Sequence, residues 1–124
     1  MMSNQGDCVA KRKMKVLFVC SGNVDRSPTA EEMFRTRPGL EVKSAGTSIL
    51  ARRRLTKDMV DWADRIFVME QEHADCVQSM QPSASAKVIV LHIPDVYRRN
   101  DPQLKTILRR IVTPRLEAPS EMKE

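Results

Sequence analysis

Cys20 and Arg26 stand at the two ends of a short loop, Cys20-Ser21-Gly22-Asn23-Val24-Asp25-Arg26, which follows an apolar run and precedes Ser27-Pro28. A thiol and a guanidinium held this close together suit the binding of a tetrahedral oxyanion and attack upon it. Gly22 and Asn23 both tolerate positive φ, which a loop curling around an anion needs. Successive backbone N–H groups can then point inward as a nest. Ser27-Pro28 reads as an N-cap followed by proline at the first helical position. The helix they open aims its positive end at the same spot. Arg26 supplies a planar fork for two phosphate oxygens. Positive dipoles and a guanidinium favour the thiolate of Cys20, placed behind a bound phosphorus for in-line attack. Cys-x5-Arg by itself is a weak signal, and a cysteine ending a strand is commonly just a small apolar residue. The reading rests on strand, glycine-containing loop, arginine, serine and proline coinciding.

The elements that must position this loop are legible as alternating patterns. Short apolar runs at KVLFVC (15–20), LEVKSA (40–45), RIFVM (65–69) and KVIVLHI (87–93) are rich in β-branched residues and suit strands buried on both faces. Between them the spacing predicts a helix after Ser27-Pro28 that stops at Pro38-Gly39. A short helix is predicted over 56–63 and another over 70–80. A last helix opens at Asp101-Pro102, with Leu104, Ile107, Leu108 and Ile111 on one face. Asp101 reads as its N-cap. Four strands alternating with helices predict an α/β fold, a four-stranded parallel sheet in a three-layer α/β/α arrangement. Ligands in such sheets sit at the carboxyl ends of strands, where the Cys20 loop lies.

The chain has 124 residues, one domain by length. Residues 1–13 read as a flexible N-terminal tail, 14–114 as the catalytic domain and 115–124 as a C-terminal tail. No run approaches a membrane span and no signal peptide is evident, so the expectation is a cytoplasmic protein with no membrane partner. A net charge of +5 favours anionic partners. With one Trp, one Tyr and three Phe, no stacking platform for nucleic acid is evident, and nucleic acid is not the expected partner. Cys8, Cys20 and Cys76 are odd in number and lack C-x-x-C spacing, which argues against a disulfide framework or a four-cysteine zinc site. His73 and Cys76 are spaced i, i+3, but two ligands do not make a metal site, and they read as helix surface and core. No metal and no cofactor are expected. Trp62 reads as core and His92 as packed at a strand end. Arg52, Arg53 and Arg54, with Arg98 and Arg99, read as either a basic surface or a rim for acidic ligands. Ser44 ends the second strand near the loop, where a hydrogen bond to Asn23 is plausible.

The loop resembles the active-site loop of the low-molecular-weight protein tyrosine phosphatases. "SAGT" (44–47), "DWADRIFVME" (61–70) and "IPDVYRRNDPQL" (93–104) extend the resemblance in order over about residues 14–113. They look most like a short bacterial branch of predicted protein tyrosine phosphatases. The resemblance implies a phosphatase-I-like (flavodoxin-like) fold. It also implies that Cys20 is the nucleophile and forms a phosphocysteine, and that Arg26 binds phosphoryl oxygens. Asn23 and Ser27 would shape the loop, with the Ser27 hydroxyl steadying the thiolate. Asp95 would be the general acid and Tyr97 an aromatic residue of that acid's loop. The chain departs from the family at Asp25, where many members carry a second cysteine, at Val96, where proline usually follows the acid, and in the short segment 48–55.

These readings converge on a metal-independent cysteine phosphatase for phosphotyrosine or other aryl phosphates. The expected partners are a phosphorylated protein or small aryl phosphate, and inorganic phosphate or another oxyanion in the loop. The alternatives are arsenate reduction with an external thiol and a phosphate- or phosphoprotein-binding module without turnover.

Overall fold

The computed structural model describes residues 13–116. Four strands, β1 (Met14–Cys20), β2 (Leu40–Gly46), β3 (Arg65–Val68) and β4 (Val88–Val90), form one sheet in the order β2-β1-β3-β4. All three pairings are parallel. The helices are α1 (Arg26–Phe34), α2 (Lys57–Trp62), α3 (Gln71–Met80) and α4 (Pro102–Leu116), with a 3-10 helix at Pro82–Lys87.

Side chains alternate across a strand, and β1 shows how this builds two cores. Val16, Phe18 and Cys20 face one way and pack with Ala30 and Phe34 of α1 and Leu104, Leu108, Val112 and Leu116 of α4. Leu17 and Val19 face the other way and pack with Val60 of α2, Val77 of α3 and Ala84. Phe18 is stacked between Phe34 and Phe67, with centroid separations of 5.7 and 5.5 Å. The three-layer α/β/α architecture expected from the alternation is the one observed. Among the described residues no helix is long and apolar enough to cross a membrane.

Several boundaries differ from expectation. The fourth run was expected to be strand through 93, yet β4 ends at Val90. His92 takes φ 56° and is exposed, not packed, so the chain leaves the ladder there. Leu91 and Ile93 still donate to the Val68 and Met69 carbonyls at 2.8 Å each, which keeps the segment attached to β3. At the C-terminus, α4 runs through Leu116, which is buried, so Arg115 and Leu116 belong to the helix and not to a tail. Residues 1–12, including Cys8, and 117–124 lie outside the described residues. Trp62 is half-buried against the second core, with Lys43 Nζ 4.4 Å above its ring.

Candidate active site

β1 runs down the middle of the sheet and delivers Cys20, 2% exposed, to its carboxyl edge. The loop that follows is gripped by its carbonyls. Thr47 N–H donates to Cys20 O at 2.9 Å, Ser48 N–H to Ser21 O at 2.9 Å and Arg52 N–H to Gly22 O at 3.0 Å. Arg52 Nε donates to Asn23 O at 3.0 Å. In a trans peptide the N–H lies opposite the C=O. Carbonyls turned toward segment 47–52 therefore turn the N–H groups of Ser21 to Val24 the other way, as an anion nest requires. The short segment after "SAGT" is thus a strap behind the loop, and Arg52 belongs to the strap. Asn23 takes φ 55°, as its type allowed, whereas Gly22 is not in the left-handed region. The glycine the loop depends on is Gly46. A Cβ there would meet Ser21 O, lie 2.7 Å from Ala51 Cβ and 2.9 Å from Asn23 N.

Ser27 is not the N-cap of α1. The helix begins at Arg26 with Asp25 as its N-cap residue, and Pro28 sits inside the first turn, where its missing N–H costs nothing. Ser27 Oγ is instead buried 3.0 Å from Cys20 Sγ. Asn23 Nδ2 donates to both Ser27 Oγ and Ser44 Oγ at 2.9 Å, so the Asn23–Ser44 contact is present. Ser44 in turn donates to Glu31 Oε1 at 2.5 Å.

Arg26 is among the largest fully buried side chains, and a buried guanidinium needs acceptors. Nη1 donates to Ile93 O at 2.7 Å and lies 3.3 Å from Glu70 Oε2, while Nε lies 3.6 Å from Asp95 Oδ1. A cavity of about 320 Å³ is lined by Cys20, Gly22, Val24, Asp25, Arg26 and Asp95. Nucleophile-type sulfur, guanidinium and an exposed carboxylate thus share one concavity at the positive end of α1. Asp25 Oδ1 accepts from Arg99 N–H at 2.9 Å. Tyr97 is not a wall of this cavity. It packs against the first core and lines a separate hollow of about 330 Å³ with Pro102, Gln103, Thr106 and Ile107. Asp101 caps α4, accepting from Gln103 N–H at 2.8 Å.

Sequence reasoning missed Glu31, Glu70 and His73. Glu70 follows β3 at the edge that carries Cys20, a position that the rule for parallel sheets would have singled out. His73 read as helix surface or core and is fully buried. Its Nδ1 accepts from Glu70 N–H at 3.0 Å while Glu70 caps α3, which places the ring proton on Nε2, 2.9 Å from Ser21 Oγ. Burial, and secondarily the Arg26 charge, holds His73 below its ordinary value of 6.5. Glu70, Glu72 and His73 come within 4.8 Å of one another, but both ring nitrogens of His73 are already hydrogen-bonded. Cys76 packs against the second core, on the face of the sheet opposite Cys20. Of the basic clusters, Arg53 reaches Glu31 at 3.7 Å and Arg99 pairs with Glu32 at 2.8 Å.

A parallel α/β sheet that presents a cysteine, an anion-binding loop and a buried arginine at one strand end has the layout of a cysteine-based phosphatase. The sequence pattern of the family described as low molecular weight phosphotyrosine protein phosphatase matches residues 15–63. The low molecular weight protein-tyrosine-phosphatase Etp of Escherichia coli K12 is 32% identical over 116 residues, covering 68% of this chain and 78% of Etp. A protein-arginine-phosphatase of Geobacillus stearothermophilus is 32% identical over 101 residues, covering 62% and 68%. The crystal structure of the Erwinia amylovora tyrosine phosphatase AmsI superimposes with a TM-score of 0.71 at 25% identity, covering 86% of this chain and 93% of that one. This chain belongs to the low molecular weight protein-tyrosine-phosphatase family.

Proposed function

We propose that the protein hydrolyses aryl phosphate monoesters, phosphotyrosine foremost, through a phosphocysteine on Cys20. The observation that carries this reading is the shared cavity, in which Cys20, Arg26 and Asp95 are all wall residues and Ser27 Oγ lies 3.0 Å from the sulfur. Phosphate bound in the nest of Ser21 to Val24 would present phosphorus to the sulfur. Sγ forms the S–P bond as the P–O bond to the leaving group breaks. Asp95 gives its proton to the departing oxygen. Water then attacks the phosphocysteine, Asp95 takes back the proton, and the thiolate leaves. Nest, helix terminus and Arg26 supply the positive charge that the transferring phosphoryl group requires, so a chelator is not expected to slow turnover. Val24, 53% exposed on the cavity wall, offers an apolar surface to an aromatic ring.

A second leaving group is favoured by a specific feature. Two carboxylates, Asp25 and Asp95, line the cavity and would receive the guanidinium of phosphoarginine. One experiment separates the readings. An aryl phosphate, a phosphoarginine peptide and arsenate with an external thiol are offered to the wild type and to Cys20→Ser. Release of phosphate from the aryl ester, lost in Cys20→Ser, supports the first reading. Preference for phosphoarginine moves the substrate class, arsenate reduction replaces the reaction, and binding without turnover leaves a phosphate-binding module. Residues 14–116, which include the buried Leu116 at the end of α4, are proposed to suffice for this activity.

A further inference from the structure

Asp95 cannot hold itself in place. Its side chain is 63% exposed, and its one ion-pair contact among the described residues, Arg26 Nε at 3.6 Å, is too long for a directional hydrogen bond. Its position is therefore set by the segment that carries it, which Tyr97 packs against the first core and which is bonded at both ends. The upstream end is fixed at Ile93, whose N–H bonds Met69 O at 2.8 Å and whose carbonyl receives Arg26 Nη1 at 2.7 Å. The downstream end is fixed at Arg99 and Asn100. Arg99 N–H donates to Asp25 Oδ1 at 2.9 Å, and Asn100 N–H donates to Thr29 Oγ1 at 2.8 Å. Thr29 Oγ1 donates in turn to Asp25 O at 2.7 Å. The Arg99 side chain adds a contact to Glu32 at 2.8 Å. Asn100 takes φ 65° at this anchor, a conformation that Asn tolerates better than most residues.

We propose that Asp25 is a positioning residue for Asp95: its carboxylate ties the acid-bearing segment 94–98 to the phosphate loop, so that acid and nucleophile move as one unit. Segment 94–98 is slung between two points that are both bonded to the loop–helix unit holding Cys20 and Arg26. Loss of the Asp25 tie loosens the downstream end, leaving it to the Asn100–Thr29 and Arg99–Glu32 contacts and to Tyr97 against the first core. A displacement of about 1 Å in a reacting group can cost on the order of a hundredfold in rate. This inference rests on the reading of Asp95 as general acid.

The test compares Asp25→Ala and Asp25→Asn with Asp95→Asn, using aryl phosphates whose leaving groups span a wide range of pKa. Acid catalysis matters most for poor leaving groups. Asp25→Ala is expected to lose about tenfold or more in kcat/KM, which reports the leaving-group step alone, on the poorest leaving groups and much less on the best. Asp25→Asn keeps an acceptor oxygen for Arg99 N–H and is expected to restore the wild-type dependence on leaving group. Thr29→Val, which cuts the neighbouring tie at Asn100, is expected to reproduce the selective loss in milder form, and it stands in if Asp25→Ala fails to fold. An equal loss on every leaving group overturns the proposal, because Asp25 then serves only the phosphate loop. Equal behaviour of the alanine and asparagine variants overturns it too, because the charge alone then matters. If Asp95→Asn shows no steeper dependence than wild type, the acid assignment itself fails. If Asp95→Asn does and Asp25→Ala does not, only the tie is wrong.

Discussion

A carboxylate can only accept a hydrogen bond, and this fixes the direction of the network that ends at Cys20. Glu31 accepts from Ser44, so Ser44 must accept from Asn23, whose second N–H goes to Ser27. Ser27 then has its own proton free for Cys20 Sγ at 3.0 Å, against a longer alternative at Ala45 O, 3.4 Å away. The Ser27 hydroxyl is thus oriented to donate to the sulfur. Alkylation of Cys20 by iodoacetate at neutral pH should be fast and blocked by phosphate or vanadate, and Ser27→Ala should slow it severalfold. An unchanged rate in Ser27→Ala would remove the hydroxyl from the account. Arg26→Lys keeps a positive charge but loses the planar fork and the reach to Ile93 O, Glu70 and Asp95 together. It should lower kcat/KM by roughly a hundredfold or more and weaken phosphate inhibition, with the far-ultraviolet circular dichroism unchanged.

At the scale of elements, the phosphate loop is only as good as the strap behind it. Gly46 lets the strap approach the loop, because any side chain there would collide with Ser21 O and the Asn23 amide. Gly46→Ala should therefore destabilise the fold by about 1–3 kcal/mol in urea melts and impair phosphate binding together. A variant that loses stability alone would show the loop tolerates the shift. The helix α4 offers a cleaner separation. Asp101 accepts the Gln103 N–H as a cap and is absent from the cavity that holds Cys20. Asp101→Ala should cost about 1 kcal/mol and Asp101→Asn almost nothing, with turnover scarcely moved in either. A leaving-group-dependent loss in Asp101→Asn would transfer the acid role from Asp95.

The whole molecule is coupled to pH through His73, buried between α3 and the phosphate loop. Its folded-state pKa lies below 6.5, chiefly through burial, so the unfolded chain takes up a proton first as pH falls. Stability is therefore expected to decline as pH drops through about 6.5, until the lower folded value is passed. His73→Gln keeps a capping-box acceptor and does not titrate. Urea midpoints measured between about pH 7.5 and 5.5 should fall more for wild type than for His73→Gln, and parallel slopes would discount His73 as the cause.

The sequence by itself determined the strands and helices, the sheet class, the Cys20–Arg26 loop and the cap at Asp101, because each is written in local periodicity, turn chemistry or one short spacing. It also put Ser44 beside Asn23. It misplaced Ser27 as a cap, because a serine before proline has the same local signature whether its hydroxyl turns to the helix or to a sulfur. It carried β4 three residues into an irregular segment and ended α4 two residues early, where local apolar pattern and true hydrogen bonding part. Only the tertiary structure decided that Glu31, Glu70 and His73 converge on the loop, that Tyr97 faces away from it, and that Asp25 is bonded to Arg99. Those contacts join residues far apart in the chain. They arise from which strand ends meet at one edge of the sheet, and no local pattern encodes that.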